Sequence, residues 1–115
     1  MNLPDLDQTV IPKEKITNHL LSPTHPEGGS KAVFFGRFGF RRDDWTTLAG
    51  ALRAHAAAHE VAYTEPSPFG TRYVVDGIMQ TPSGRTPLVR SVWFIDVEGG
   101  PPRFVTAYPL KEETP

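Results

Sequence analysis

The hydrophobic period of this chain changes once, near Glu60, and that change limits its fold more than any other feature. Before it, Trp45, Leu48, Leu52 and Ala56 recur at helical spacing within an alanine-rich stretch, which has high helix propensity and one apolar stripe. After it come runs rich in Val, Tyr and Thr, separated by Gly, Pro and Ser clusters, as strands joined by turns require. Short turns join only antiparallel neighbours, because a parallel pair needs a long crossover. The chain therefore predicts an α+β fold, with two or three N-terminal helices packed on a C-terminal four-stranded antiparallel meander sheet.

At 115 residues a second domain would leave too little core for either, so one domain is expected. Residues 1–11 read as an extended N-terminal arm, 12–110 as the single α+β domain and 111–115 as a frayed tail. Pro12 suits a first helical turn, and Ile16, Leu20 and Leu21 carry a helix over 13–21 that Pro23 stops. Ser30 is a candidate cap for a short helix bearing Ala32, Phe34, Phe35 and Phe38, with Gly39 as its left-handed C-terminal residue. Asp43 is the expected N-cap of the long helix, which runs to His59. The strands are expected over 61–65, 71–79, 86–97 and 103–108.

The chain has no cysteine, which excludes a disulfide framework, a thiol nucleophile and thiolate zinc sites. Its net charge of −1 does not suit a DNA-packing protein, though a local basic patch is compatible with it. No apolar run is long enough for a membrane-spanning helix. The first residues, Met1-Asn2-Leu3-Pro4-Asp5, lack the basic and apolar regions of a signal peptide, so a cytoplasmic location is expected.

Four places hold residues suited to chemistry. Arg90 lies in a strand whose two alternating sets are both largely apolar. Such a guanidinium needs a partner, which is either Asp76, Asp96 or water, or else a bound phosphate or carboxylate. Thr106 and Tyr108 share a face of the last strand, with Phe104 expected beside them. Together with Tyr73 and Arg90 they are candidates for the floor of a shallow cleft.

The loop His25-Pro26-Glu27-Gly28-Gly29-Ser30-Lys31 is the most distinctive local feature. Its glycines free the backbone before a helix N-terminus, a place that favours anions and disfavours Lys31. It is either an anion site or a plain connection between two helices. The order Gly-Ser-Lys and the missing preceding strand exclude a P-loop. His25 is the histidine best surrounded for acid/base work. His55 and His59, four apart, could face one another. With no third ligand they read as complements to the helix dipole rather than zinc ligands, and neither metal nor cofactor is expected.

Taken together, His25-Pro26, Gly28-Gly29, Lys31-Ala32, Phe35, Gly39-Phe40, Asp44-Trp45, Tyr73-Val74-Val75, Gly77, Gly84-Arg85, Val89-Arg90, Val92-Trp93 and Val105-Thr106-Ala107-Tyr108-Pro109 resemble the small bacterial domain-of-unknown-function family sixty-eight eighty-three. The resemblance runs from about Leu3 to Leu110. Members of that family look like stand-alone proteins or C-terminal parts of phage-like or secreted ones, a setting that resembles toxin and effector modules. The helices-then-sheet layout also resembles barnase/RelE-like ribonuclease toxins, which cut RNA without metal. That resemblance implies a catalytic set of His25, Lys31, Arg90, Thr106 and Tyr108. Gly28, Gly29, Ser30, Tyr73 and Arg85 would bind substrate, with Tyr73 stacking a base. RNA and a cognate antitoxin or immunity protein are the implied partners, and no membrane. The competing reading is a non-catalytic protein-binding module that offers its sheet face or an edge strand.

Overall fold

A computed structural model describes residues 1–22 and 29–110, with the backbone alone for Gly29 and Ser30. His25, Gly28, the helix stop at Pro23 and the tail 111–115 lie outside the described residues. Three helices precede a four-stranded antiparallel sheet of order β1-β2-β3-β4. The first, α1, is a single α-turn, Lys13–Lys15, continued by a π-helical turn, Ile16–Leu20. Next come α2, Gly29–Arg37, and α3, Trp45–Ala58. The strands are β1, Val61–Ser67; β2, Gly70–Ile78; β3, Leu88–Asp96; and β4, Arg103–Pro109. None of the described helices is long and apolar enough to cross a membrane.

The helices cover one face of the sheet. Phe35 of α2 and Leu48, Leu52 and Ala56 of α3 form a single core with Val75, Val89, Trp93, Phe104 and Ala107 of the strands. Trp45 is half-buried against that core. Residues 1–11 are docked on the rest of the chain. Leu3, Thr9 and Ile11 are buried, the Met1 carbonyl accepts from the Val61 amide at 2.7 Å, and Arg53 Nη2 donates to the Thr9 carbonyl at 2.7 Å.

Helix α2 ends as its sequence predicts. Gly39 has φ +94°, the Phe40 amide donates to Phe35 and the Gly39 amide to Gly36. This is the paired bond pattern of a glycine-ended helix. The Phe35 and Phe40 rings meet edge to face at 6.0 Å across it. The start of α2 differs from expectation: Gly29 is already helical, so Ser30 lies inside the helix and is not its N-cap.

The start of α3 also differs. A 3-10 turn, Arg42–Asp44, precedes it, and Asp44 rather than Asp43 stands at the N-cap. The Asp43 carboxylate is turned outward onto Arg41, at 3.0 Å to both Nε and Nη2. Asp44 instead accepts from the Thr47 hydroxyl at 2.7 Å.

One irregularity reorganises β4. Val92 pairs with Thr106 but Trp93 pairs with Phe104, so Val105 is an extra residue in the ladder. A bulge of this kind moves every residue beyond it to the other face. Phe104 and Ala107 therefore enter the core with Trp93, whose ring meets Phe104 at 5.3 Å. Thr106 and Tyr108 face away from it. The expectation that Phe104 shares a face with them is corrected by this single insertion.

Candidate functional site

The face of the sheet turned away from that core is built in rows, each made of residues directly opposite one another on neighbouring strands. One row holds Asp76, Arg90 and Tyr108. The next holds Tyr63, Val74, Val92 and Thr106. A third holds Glu65, Arg72, Phe94 and Arg103. Val74 and Val92 are buried at its centre although neither belongs to the helix-side core.

Arg90 is held by Asp76. Its Nε donates to Asp76 Oδ1 at 2.7 Å and its Nη2 to Oδ2 at 2.9 Å, a fork-to-fork pair that fixes the guanidinium plane. The hydrogen bond that Arg90 donates to Asp76, and then that with Tyr108, raise the Arg90 pKa further above its already basic value. The ring of Tyr63 lies 5.4 Å from the guanidinium carbon, and Nη1 is 3.5 Å from the Tyr63 oxygen. Of the partners weighed from sequence, Asp76 occupies the fork.

Beside this pair, Lys31 brings α2 to the sheet. Its Nζ donates to Thr106 Oγ1 at 2.9 Å, stands 3.4 Å from His19 Nε2 and 5.8 Å from the centre of the Tyr108 ring. An ammonium has only donors, so the His19 nitrogen facing it carries a lone pair. Residues distant in sequence thus converge: Lys31, Thr106, Tyr108 and Arg90 form one cluster, and His19 joins it. His19 is half-buried there. Its neighbours Ile16, Thr17 and Leu20 are buried by the π-helical turn, which re-aims the ring; no period in the sequence announces that turn.

Two of the residues proposed for substrate binding lie elsewhere. Tyr73 sits opposite Trp93 on the helix side and packs on the core. Alternation along β2 puts it on the face away from Arg90 and Tyr108. Arg85 lies in the exposed β2–β3 loop, where its carbonyl accepts from the Thr81 hydroxyl at 2.6 Å. Gly29 is the first residue of α2 and Ser30 the second.

The histidine pair proves structural. His55 is buried. Its Nε2 is 3.0 Å from the Gly77 carbonyl and 2.9 Å from that of Val89, so this nitrogen carries the proton. Its Nδ1 is 3.0 Å from Ser91 Oγ, which also accepts from Trp93 Nε1 at 2.9 Å. Ser91 then donates its own proton to Nδ1, and the neutral ring is fully satisfied. Burial lowers the His55 pKa. His59 bonds the Ile78 carbonyl at 2.8 Å, and its ring lies so close to Gly77 that a β-carbon there would collide with it. Rather than complementing the helix dipole, both rings tie α3 to the β2–β3 pair. Among the described residues no three His, Cys, Asp or Glu side chains are grouped to hold a metal.

Comparison with known proteins adds two findings. The sequence profile described as "Domain of unknown function (DUF6883)" matches residues 2–111. A chain of the "Contact-dependent growth inhibition toxin - immunity protein complex from Klebsiella pneumoniae 342" superposes with a TM-score of 0.70 at 18% identity, over 88% of this chain and 99% of that one. At such identity the likeness is one of fold. No curated protein matches the sequence.

Proposed function

This chain belongs to the DUF6883 family, and from that premise we propose that it is a toxin or effector domain that cleaves RNA without a metal ion. One observation carries the reading: the Lys31 ammonium lies 2.9 Å from the Thr106 hydroxyl and 3.4 Å from the His19 imidazole, on the sheet face turned away from the core, beside Tyr108. A cation, hydroxyl donors and an imidazole suit a phosphodiester, whose cleavage places negative charge on the non-bridging oxygens.

In the proposed reaction an imidazole takes the proton of the ribose 2′-hydroxyl. The 2′-oxygen bonds to phosphorus and the bond from phosphorus to the 5′-oxygen breaks. The leaving oxygen takes a proton, giving a 2′,3′-cyclic phosphate and a 5′-hydroxyl. Lys31 and Thr106 stabilise the charged phosphorane. His19 accepts the 2′-proton, and His25 shuttles the second proton. Arg90, its fork on Asp76, acts by orienting the Tyr108 hydroxyl rather than by clamping phosphate.

A fold shared with a chain of a toxin–immunity protein complex supports the toxin setting and a cognate protein partner. The second reading, a non-catalytic protein-binding module, is favoured by β1, an edge strand that is exposed at every residue but its first. The deciding measurement is incubation of purified protein with single-stranded RNA in chelator. Wild type should yield cyclic-phosphate ends, and Lys31→Ala and Thr106→Val should each lose about two to three powers of ten in rate while keeping native circular dichroism. Intact RNA at high protein concentration would leave the binding-module reading in its place.

A further inference from the structure

The proposed reaction uses His19, which stands on the π-helical turn Ile16–Leu20. In an α-helix the Leu21 amide would bond the Thr17 carbonyl, four residues back. Here it donates to the Ile16 carbonyl at 2.8 Å, the wider step of a π turn. The next amide, that of Ser22, goes to the His19 carbonyl at 3.4 Å. The two amides that a continued helix would bring to the Thr17 carbonyl are therefore spent elsewhere. Thr17 is buried, and a buried carbonyl without a donor is costly.

Arg42 takes that oxygen. It opens the 3-10 turn before α3 and reaches back 25 residues. Its Nε donates to the Thr17 carbonyl at 2.7 Å and its Nη2 to Asn18 Oδ1 at 3.1 Å. One planar guanidinium thus spans the two residues immediately before His19. The Thr17 hydroxyl donates to the Lys13 carbonyl at 3.1 Å, which ties the same residue back to α1. Arg41 is adjacent in sequence but does not share this task, because its fork is spent on Asp43 in an exposed pair.

We infer that Arg42 is a positioning residue of the proposed ribonuclease, an inference that rests on that reading of the Lys31 cluster. Its guanidinium holds the π-helical turn in the form that presents His19 Nε2 to the Lys31 ammonium, 3.4 Å away. Without that donor, the Thr17 carbonyl recaptures the Leu21 amide. The turn then tightens from a π step to an α step and carries His19 with it. Arg42 acts through the backbone of Thr17 and the side chain of Asn18, not on the substrate. Lysine cannot replace it, since a point charge has no fixed fork to span both acceptors.

The test reads His19 first and cleavage second. The imidazole nitrogen shifts of His19, assigned with His19→Gln, are measured by NMR at about pH 8, above the ordinary histidine pKa. Wild type should carry the lone pair on Nε2, the nitrogen that faces Lys31. Arg42→Ala should move these shifts toward those of free histidine. It should also lower kcat for RNA by about ten- to a hundredfold, with KM within about twofold of wild type. Arg41→Ala should leave both readouts unchanged. If Arg42→Ala loses its native circular dichroism, Asn18→Ala carries the same test, because Asn18 is exposed and its loss removes only the Nη2 contact. Moved shifts in a protein that leaves RNA intact support the placement of His19 and remove the ribonuclease reading. RNA cleavage with shifts and kcat unchanged in the folded variant overturns the role of Arg42 and leaves the ribonuclease reading standing. Unchanged shifts overturn that role whether or not RNA is cut, and so do moved shifts with an unchanged kcat.

Discussion

Lowering the pH should unfold this protein through His55, and the geometry sets both sign and steepness. The His55 ring is buried, with its Nε2 proton on two carbonyls and its Nδ1 lone pair on Ser91. A second proton on Nδ1 would place a charge in the core and set N–H against the Ser91 O–H. Ser91 could rotate to accept it, but its own proton would then have no acceptor. Burial accordingly holds the folded pKa below the ordinary value of 6.5. Between those two values the unfolded chain binds a proton that the folded chain refuses. The stabilisation is therefore complete above about pH 6.5 and declines as pH falls towards the folded value. One proton limits the slope to about 1.4 kcal/mol per pH unit. Urea unfolding at steps from about pH 7.5 to 5 would measure it. His55→Gln keeps a donor but cannot titrate, so it should be less stable at neutral pH by about 1–3 kcal/mol. It should also lack the extra acid slope of wild type. Parallel pH profiles for the two proteins would refute the neutral, buried assignment.

Other outcomes follow from single contacts. Gly77→Ala should displace the His59 ring and cost about 1–3 kcal/mol, with much of that loss absent when His59→Ala is already in place, a coupling that a double-mutant cycle reads directly. Leu52→Ala, at a fully buried site on α3, should cost about 2–5 kcal/mol in denaturant unfolding. Arg90→Ala should leave the fold intact, because the Asp76 pair is partly exposed. It should lower stability by about 1–3 kcal/mol and still remove most RNA cleavage through the loss of Tyr108 orientation. Full cleavage by folded Arg90→Ala would remove Arg90 from the site.

Local chemistry along the chain determined the order and type of its elements. The alanine-rich stripe of α3, the glycine end of α2 and the turn clusters between strands each act within a few residues. Propensity, capping and backbone sterics are short-range effects, so a reader of the sequence has everything that they depend on. The convergence of Arg90, Thr106 and Tyr108 was legible for the same reason: in a meander, neighbours in sequence are neighbours in the sheet, and alternation supplies the face.

Tertiary structure decided the rest. The bulge at Val105 depends on which residue of β3 each residue of β4 meets, and it reverses the side of Phe104. Tyr73 was placed on the wrong face because two alternating apolar sets give no label for which one the helices cover. His55 read as a helix-end charge because its partners, Ser91 and the carbonyls of Gly77 and Val89, are brought to it only by the packing of α3 on β2 and β3. His19 enters the site through a π-helical turn and a lysine twelve residues away. Each of these depends on the distance between groups that the chain separates, and that distance is set by packing of the whole core rather than by any local run of residues.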